Sequence, residues 1–336
     1  MKKIRYQILY SPKYKFPNFI VILAIGNKYF LDWKKFSSSL LIKYCKKNKI
    51  GLLVIKDYLI EGNDYYAKKA TIHKLLIGSF IEKKFKYIKN ICYLDTDIIV
   101  NPFSPNVFNF QNKNKINVVS RCKNLPYYFS DNFLKRRVAF LRKENYDKNF
   151  PLDSGLTISP KKIFTFHGWK DQGDYFNAGL LMFNVKKFSN FFLNIFNKYR
   201  SKNFISMSGG DEPIVNYEVL KSKKVHWMSY KFNVLWLYEM SCRYPFLYEY
   251  KIRDTIIKKC IETTLSENYF IHFSGTWPEG LMWKNKNLFG KKKQQQHLRF
   301  VKYLKKKLRS ISKKTIVFKN FLPRGRLCQT SLHSRK

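Results

Sequence analysis

Residues 91–103, ICYLDTDIIVNPF, set two carboxylates, Asp95 and Asp97, inside a run that is otherwise apolar. Burying an unpaired charge costs several kcal/mol, and two like charges cost more. Either something positive sits against the pair, or the pair lies where a strand end opens into a site. Residues i and i+2 of a strand point to the same side, so Asp95 and Asp97 are expected to converge. Asn101-Pro102 closes the strand soon after. In open α/β sheets, ligands collect beyond the carboxyl ends of strands. Two carboxylates converging there suit a hard divalent cation completed by phosphate oxygens. The plainer alternative is a pair of strand-end carboxylates satisfied by backbone N–H groups or by a lysine.

The surrounding pattern supports such a sheet. NFIVILAIG (18–26) and GLLVIKDY (51–58) are β-rich apolar runs, and LDWKKFSSSLLIKYCKKN between them carries apolar residues at helical intervals. ATIHKLLIGSFIEKKF then places Ile72, Leu75, Leu76 and Phe80 on one helical stripe. The aspartate strand follows, then INVVSRC (116–122), YFNAGLLMFN (175–184), a helix near 186–200, GGDEPIVNYEVL (209–220), VHWMSYKFNVLW (225–236) and NYFIHFSGTWPEG (268–280). Alternating strands and helices predict an open, mostly parallel α/β sheet with helices on both faces. Residues 123–172 read as an insertion or acceptor-side lid. The expected organisation is one catalytic domain over 1–290 and a basic tail over 291–336.

At 336 residues, 45% hydrophobic and 18% aromatic, the chain buries a sizeable core and is not a disordered polymer. Its net charge of +43, from 65 Lys and Arg against 22 Asp and Glu, suits an anionic partner such as nucleic acid, a membrane surface or a phosphorylated substrate. Enrichment in Lys, Asn, Ile, Phe and Tyr together is also what an AT-rich genome imposes through its codons, and both readings stay open. The six cysteines form no CxxC pair and no metal-finger spacing, which reads as reduced cytosolic thiols. The apolar run Phe19 to Ile25 is too short for a membrane span and lacks a cleavage site, so it is expected to be a buried strand of a cytoplasmic protein.

Five segments, taken in order, carry a resemblance. They are TIHKLLIG (71–78), YLDTDIIV (93–100), YFNAGLLMFN, GGDEPIVNYEVL and IHFSG (271–275). Together they resemble the nucleotide-sugar glycosyltransferases of the GT-A fold, in particular glycosyltransferase family 8 (the glycogenin and lipopolysaccharide-hexosyltransferase group), over about residues 18–290. A related retaining family of galactosyl- and xylosyltransferases shares the D-x-D and the H-F-[AS]-G elements. The resemblance implies a GT-A, Rossmann-like fold, a nucleotide-sugar donor that is most often UDP-linked, and transfer of a hexose or pentose to a glycan, lipid or protein with retention. It implies metal ligation by Asp95, Asp97 and His272. It also implies donor contacts from Lys74, from Asn177, Ala178, Gly179 and Gly275, and from Asn27 and Tyr29 at the uridine. Carboxylates plus an imidazole suit Mn²⁺, with Mg²⁺ as the alternative.

Two positions depart from the family pattern. Pro278 stands where the family's diphosphate-binding lysine falls, with Lys284 or Lys286 as substitutes from a shifted loop. In DEP, Glu212 replaces a glutamine and Pro213 an aspartate.

Each candidate also has an ordinary structural reading. His272 lies in an apolar run where a hydrogen-bonded core histidine is the common case, and His73 is expected on a helix surface. Lys74, off its helix stripe, is a solvated lysine unless it reaches the donor. Asn177 to Gly179 either admit a sugar against the strand or form a bulge. Tyr29 either touches the donor or packs at a helix start. Asp211 caps a helix, or joins Glu212 in catalysis. Glu212 is the sharper candidate, since a carboxylate opposite the leaving group attacks the anomeric carbon or stabilises an oxocarbenium-like state.

The tail holds 16 Lys or Arg and no Asp or Glu in 46 residues, and 297–309 has the spacing of an amphipathic helix through Leu298, Phe300, Val301, Tyr303, Leu304 and Leu308. Peripheral contact with an anionic membrane is the expectation, with a solvated tail as the alternative. Two rival functions are a non-catalytic sugar-nucleotide-binding module and, driven by charge alone, a nucleic-acid-binding protein. No recognisable nucleic-acid module supports the second.

Overall fold

The computed structural model describes residues 4–12, 17–127, 131–146, 156–207, 210–248, 253–275 and 278–284. The tail over 291–336, its expected helix and Lys286 lie outside the described residues.

Ten strands occur among the described residues. In chain order they are β1 (Tyr6–Tyr10), β2 (Asn18–Leu23), β3 (Gly51–Ile55), β4 (Asn90–Leu94), β5 (Ile98–Val100), β6 (Ile116–Val118), β7 (Leu180–Asn184), β8 (Val225–Trp227), β9 (Val234–Leu235) and β10 (Phe270–His272). Seven form a central sheet in the order β1-β3-β2-β4-β7-β6-β8, and β5-β10-β9 form a second, small sheet. In the central sheet β2, β3, β4, β6 and β8 run one way, while β1 and β7 run the other. The α/β class and the mostly parallel sheet expected from the sequence are therefore present.

The apolar strands work by alternation. Phe19, Val21 and Leu23 of β2 enter one core with Leu75, Ile77, Ile81, Phe183, Phe188 and Phe192. Ile20, Ile22 and Ala24 enter the opposite core with Trp33, Leu41, Tyr44, Leu180 and Met182. Successive side chains of a strand face opposite ways, so a strand covered on both faces must be apolar throughout. Each fully buried Leu, Ile or Phe contributes about 1.5–3 kcal/mol, which makes this double burial the main source of stability.

Four details differ from the sequence expectations. The helical run over 31–48 is two helices, Asn27–Phe36 and Ser38–Asn48, parted at buried Ser37, whose hydroxyl donates to the Ile98 carbonyl (2.6 Å). The Ile72, Leu75, Leu76, Phe80 stripe does face the core, but its segment is a 3₁₀ turn over Ala70–Leu76 continued by an α-helix over Ile77–Lys84. His73 is fully buried rather than on the surface. Its Nδ1 accepts from the Leu59 N–H (2.9 Å), its Nε2 lies 3.1 Å from the Ala67 carbonyl, and burial lowers its pKa. Finally, β4 ends at Leu94, so Asp95 and Asp97 sit in a turn between β4 and β5 rather than on one strand.

That turn links the two sheets. The Asp95 N–H donates to the Gly179 carbonyl (2.9 Å) and the Ile98 N–H to the Asp95 carbonyl (3.3 Å). The Phe273 N–H donates to the Asp97 carbonyl (3.1 Å), which draws the end of β10 alongside. Within 123–172, the described helices are Asp131–Asn145 and Pro160–Phe166. Leu134 and Val138 of the first pack with Leu235, Leu237 and Tyr238.

Candidate active site

Asp95, Asp97 and His272 come together beyond the carboxyl end of β4. Each offers a ligand atom, and these atoms all lie within 4.8 Å of one another. His272 Nε2 is 3.2 Å from Asp97 Oδ1 and 3.7 Å from Asp95 Oδ2. The histidine is buried, while the carboxylates stay partly open, at 29% and 23% side-chain exposure. Burial pulls the imidazole toward its neutral form, but Asp97 and then Asp95 outweigh it and raise the pKa.

The other ring nitrogen fixes the tautomer. The Asn233 amide donates to the Asn177 carbonyl and to Asn177 Oδ1 (both 3.3 Å), leaving its Oδ1 to accept from His272 Nδ1 (3.1 Å). With Nδ1–H held this way, Nε2 is the nitrogen that faces the carboxylates, where it can carry a proton or, in its place, meet a metal ion. Gly179 completes the cradle, because a Cβ there would lie 2.2 Å from His272 Cε1. The close approach that this glycine permits is thus that of the imidazole. Two carboxylates, an oriented imidazole and a cradle only glycine leaves open fit a divalent ion of the Mn²⁺ or Mg²⁺ type.

Lys74 belongs to the same centre but is not a solvated side chain. It is buried, with Nζ 3.0 Å from Asp211 Oδ2 and 3.6 Å from Asp95 Oδ1, and it donates to the Ala178 carbonyl (3.1 Å). Burial opposes its charge, yet Asp211 and Asp95 prevail and raise its pKa, so it stays an ammonium. The Tyr93 hydroxyl donates to Asp95 Oδ1. Asp211 precedes the helix Glu212–Lys221 at the capping position, but its side chain makes no capping hydrogen bond and turns to Lys74 instead. Burial raises its carboxyl pKa against that lysine.

Asn177 ties the centre to Glu212. Its Oδ1 accepts from the Gly179 N–H (3.0 Å), and its amide donates to Glu212 Oε2 (3.2 Å) and Ser274 Oγ (3.5 Å). Gly275 follows at φ +102°, a conformation that favours glycine. Asn27 opens its helix just after Gly26 (φ +88°) and lines a cleft of about 700 Å³ with Arg5, Tyr6, Phe30 and Lys56. Tyr29 is 62% exposed and does not line it. Lys284, one substitute for the missing lysine, is bonded to Asp32 (2.7 Å), and Pro278 opens the short helix Pro278–Leu281.

Sequence reasoning missed two residues. Asn233 is the polar interruption of YKFNVLW. Arg121 closes the apolar run INVVS, the same kind of signal as the aspartates, and its guanidinium donates from Nη1 to Glu212 Oε1 (2.8 Å).

No family model and no curated protein matches the sequence. Similar solved structures are glycosyltransferases. One, involved in glycosylation of the major capsid of PBCV-1, is 11% identical with a TM-score of 0.44, over 81% of this chain and 100% of that one. The galactosyltransferase LgtC, solved with donor and acceptor sugar analogs, is 14% identical with a TM-score of 0.44, over 80% and 93%. The bifunctional glycosyltransferase WbbM is 14% identical with a TM-score of 0.48, over 80% of this chain but only 47% of that one. The strand order and directions by themselves establish an α/β fold with a mostly parallel central sheet. At these identities and TM-scores the likeness carries no argument about activity.

Proposed function

We propose that the chain is a metal-dependent, retaining glycosyltransferase that takes a hexose or pentose from a nucleotide sugar, most simply a UDP-sugar. The observation that carries this reading is the convergence of Asp95, Asp97 and His272 at a strand end, with the Glu212 carboxylate reached from it through Asn177. Asp95, Asp97 and His272 would hold Mn²⁺ or Mg²⁺. When bound, such an ion supplies Lewis-acid neutralisation of a diphosphate leaving group. Lys74 holds Asp211 and Asp95 in place through its two ion pairs, rather than offering a free ammonium to the donor. Asn177 orients Glu212, and Glu212 stabilises positive charge developing at the anomeric carbon. The anomeric C–O bond breaks with its electron pair going to the nucleotide diphosphate, and the acceptor oxygen bonds that carbon from the same face and gives its proton to the departing diphosphate oxygen. Asn27 is assigned to the nucleoside through its cleft, and Ala178, Gly179 and Gly275 shape the floor.

The acceptor is a glycan, glycolipid or glycoprotein, and the 291–336 segment brings the enzyme peripherally to an anionic membrane from the cytoplasm. No helix among the described residues is long and apolar enough to cross a membrane.

The test is nucleotide release from a panel of UDP- and GDP-sugars, with Mn²⁺ and with chelator. Ion-dependent release, and a product with the donor's anomeric configuration, are expected. A protein that binds UDP but releases none from any donor or acceptor is a non-catalytic sugar-nucleotide module instead.

A further inference from the structure

We propose that Arg121 is a positioning residue for the transfer reaction, pairing with the Glu212 carboxylate and holding it in one orientation. This deepens the reading above and rests on it. Arg121 lies just past β6 and is 2% exposed. Its Nη1 donates to Glu212 Oε1 (2.8 Å), and its guanidinium carbon lies 4.2 Å from the centre of the Tyr175 ring. Asn177 Nδ2 takes the other oxygen, Oε2, at 3.2 Å. Two donors from two separate segments therefore fix both oxygens of one carboxylate. The helix that carries Glu212 is fixed as well. Asn216 accepts from the Phe176 N–H (2.7 Å) and donates to the Phe176 carbonyl (2.8 Å) and the Glu212 carbonyl (2.9 Å). The carboxylate has little rotational freedom left.

The pair is poorly built as a stability device. Arg121 Nε and Nη2 are buried with no hydrogen-bond partner among the described residues. A guanidinium removed from water and given one hydrogen bond costs folding free energy that a pair of apolar side chains would not. It is tolerable only while Glu212 stays ionised, and the useful consequence falls on Glu212.

The groups facing that carboxylate are Arg121, Asp211, Lys74 and His272. Burial raises the Glu212 pKa, Arg121 is the strongest opposing influence, and Asp211 adds to the rise. Without Arg121 the carboxylate protonates at higher pH and is free to turn. A glutamine at 212 would need no such cation, whereas a glutamate does.

The experiment is steady-state donor hydrolysis or transfer by the full chain with Mn²⁺, across pH, for wild type, Arg121→Gln, Arg121→Lys, Glu212→Gln and the Arg121→Gln/Glu212→Gln double variant. Arg121→Gln is expected to lower kcat about 100-fold while donor KM stays within about threefold, because the interaction belongs to the transition state. Its acidic limb moves to higher pH. Arg121→Lys recovers part of kcat by restoring charge without the planar fork. The double variant is no slower than the slower single one, since an unpositioned Glu212 has already stopped contributing.

Wild-type kcat in Arg121→Gln, a loss confined to KM, or strictly multiplicative losses in the double variant would overturn the inference. If Arg121→Gln does not fold, Arg121→Lys asks the same question: reduced kcat with KM kept supports the inference, and unchanged kcat overturns it. A wild type without turnover on any donor removes the proposed function and this inference together, whereas an active wild type with an indifferent Arg121 removes this inference alone.

Discussion

Two regions of the molecule bury acids beside bases, and they do so to opposite ends. Between the helices Asp131–Asn145 and Pro278–Leu281, Arg142 Nε donates to Glu279 Oε1, with side-chain exposures of 0% and 1%. The Tyr146 hydroxyl also bonds Glu279, and the pair is sealed from solvent. At the strand ends, four carboxylates (Asp95, Asp97, Asp211 and Glu212) face two permanent cations, Lys74 and Arg121, with His272 beside them. In a chain of net charge +43, that region carries an excess of negative charge, and three of its carboxylates, Asp95, Asp97 and Glu212, remain partly open. The sealed pair balances one charge against the other away from solvent, whereas the acidic cluster stays open to solvent with more carboxylates than permanent cations. Closure therefore separates a structural ion pair from a candidate site better than burial or charge does.

The largest effect that tests this contrast is on rate. Asp97→Ala should lower metal-dependent turnover by at least about 1000-fold, while unfolding free energy changes by less than about 1 kcal/mol. Near-normal turnover of the variant with Mn²⁺ restored would break the contrast from the site's side. The reverse pattern is expected at the sealed pair. Arg142→Met leaves Glu279 buried without its guanidinium partner and should cost about 3–5 kcal/mol of stability in denaturant unfolding. A variant as stable as wild type would show that the pair is not what closes that region.

These two positions were not equally legible in the sequence. Asp95 and Asp97 stood out because carboxylates in an apolar run cannot be a solvated face. The same spacing fits a strand and a tight turn, however, so their place between β4 and β5 was not readable. Arg142 and Arg121 were hidden among 65 basic residues, and only the apolar run before Arg121 marks it. Lys74 and His73 look amphipathic on a helical wheel, and what buries them is a 3₁₀ turn packed against distant segments. The reversed direction of β7 depends on the path through 123–172, for which local pattern carries no signal.

A smaller effect sharpens the contrast within the site. Gly179→Ala sets a methyl against His272 Cε1, so the ring must move off its line to Asp97. Apparent Mn²⁺ affinity, read by titration calorimetry, should fall about 10- to 100-fold, with an overpacking cost of about 1–3 kcal/mol. Unchanged affinity would mean that the imidazole is not a ligand. The smallest expected effect is no difference at all. Saturating Mn²⁺ at 100 times its Kd adds about 2.7 kcal/mol to a protein that binds it only when folded, and Arg142→Met should gain the same increment as wild type. A smaller increment there would mean that the two regions are coupled.

The turn at Asp95–Asp97 has a mechanical consequence. It joins β4 of the seven-stranded sheet to β5 of the three-stranded one, and His272 ends β10, the neighbour of β5. An ion gripped by all three side chains is a rivet driven through the seam between the two sheets. Loading it should slow amide hydrogen exchange along Ile98–Val100 and Phe270–His272 and leave the far edge, β1 against β3, to breathe as before.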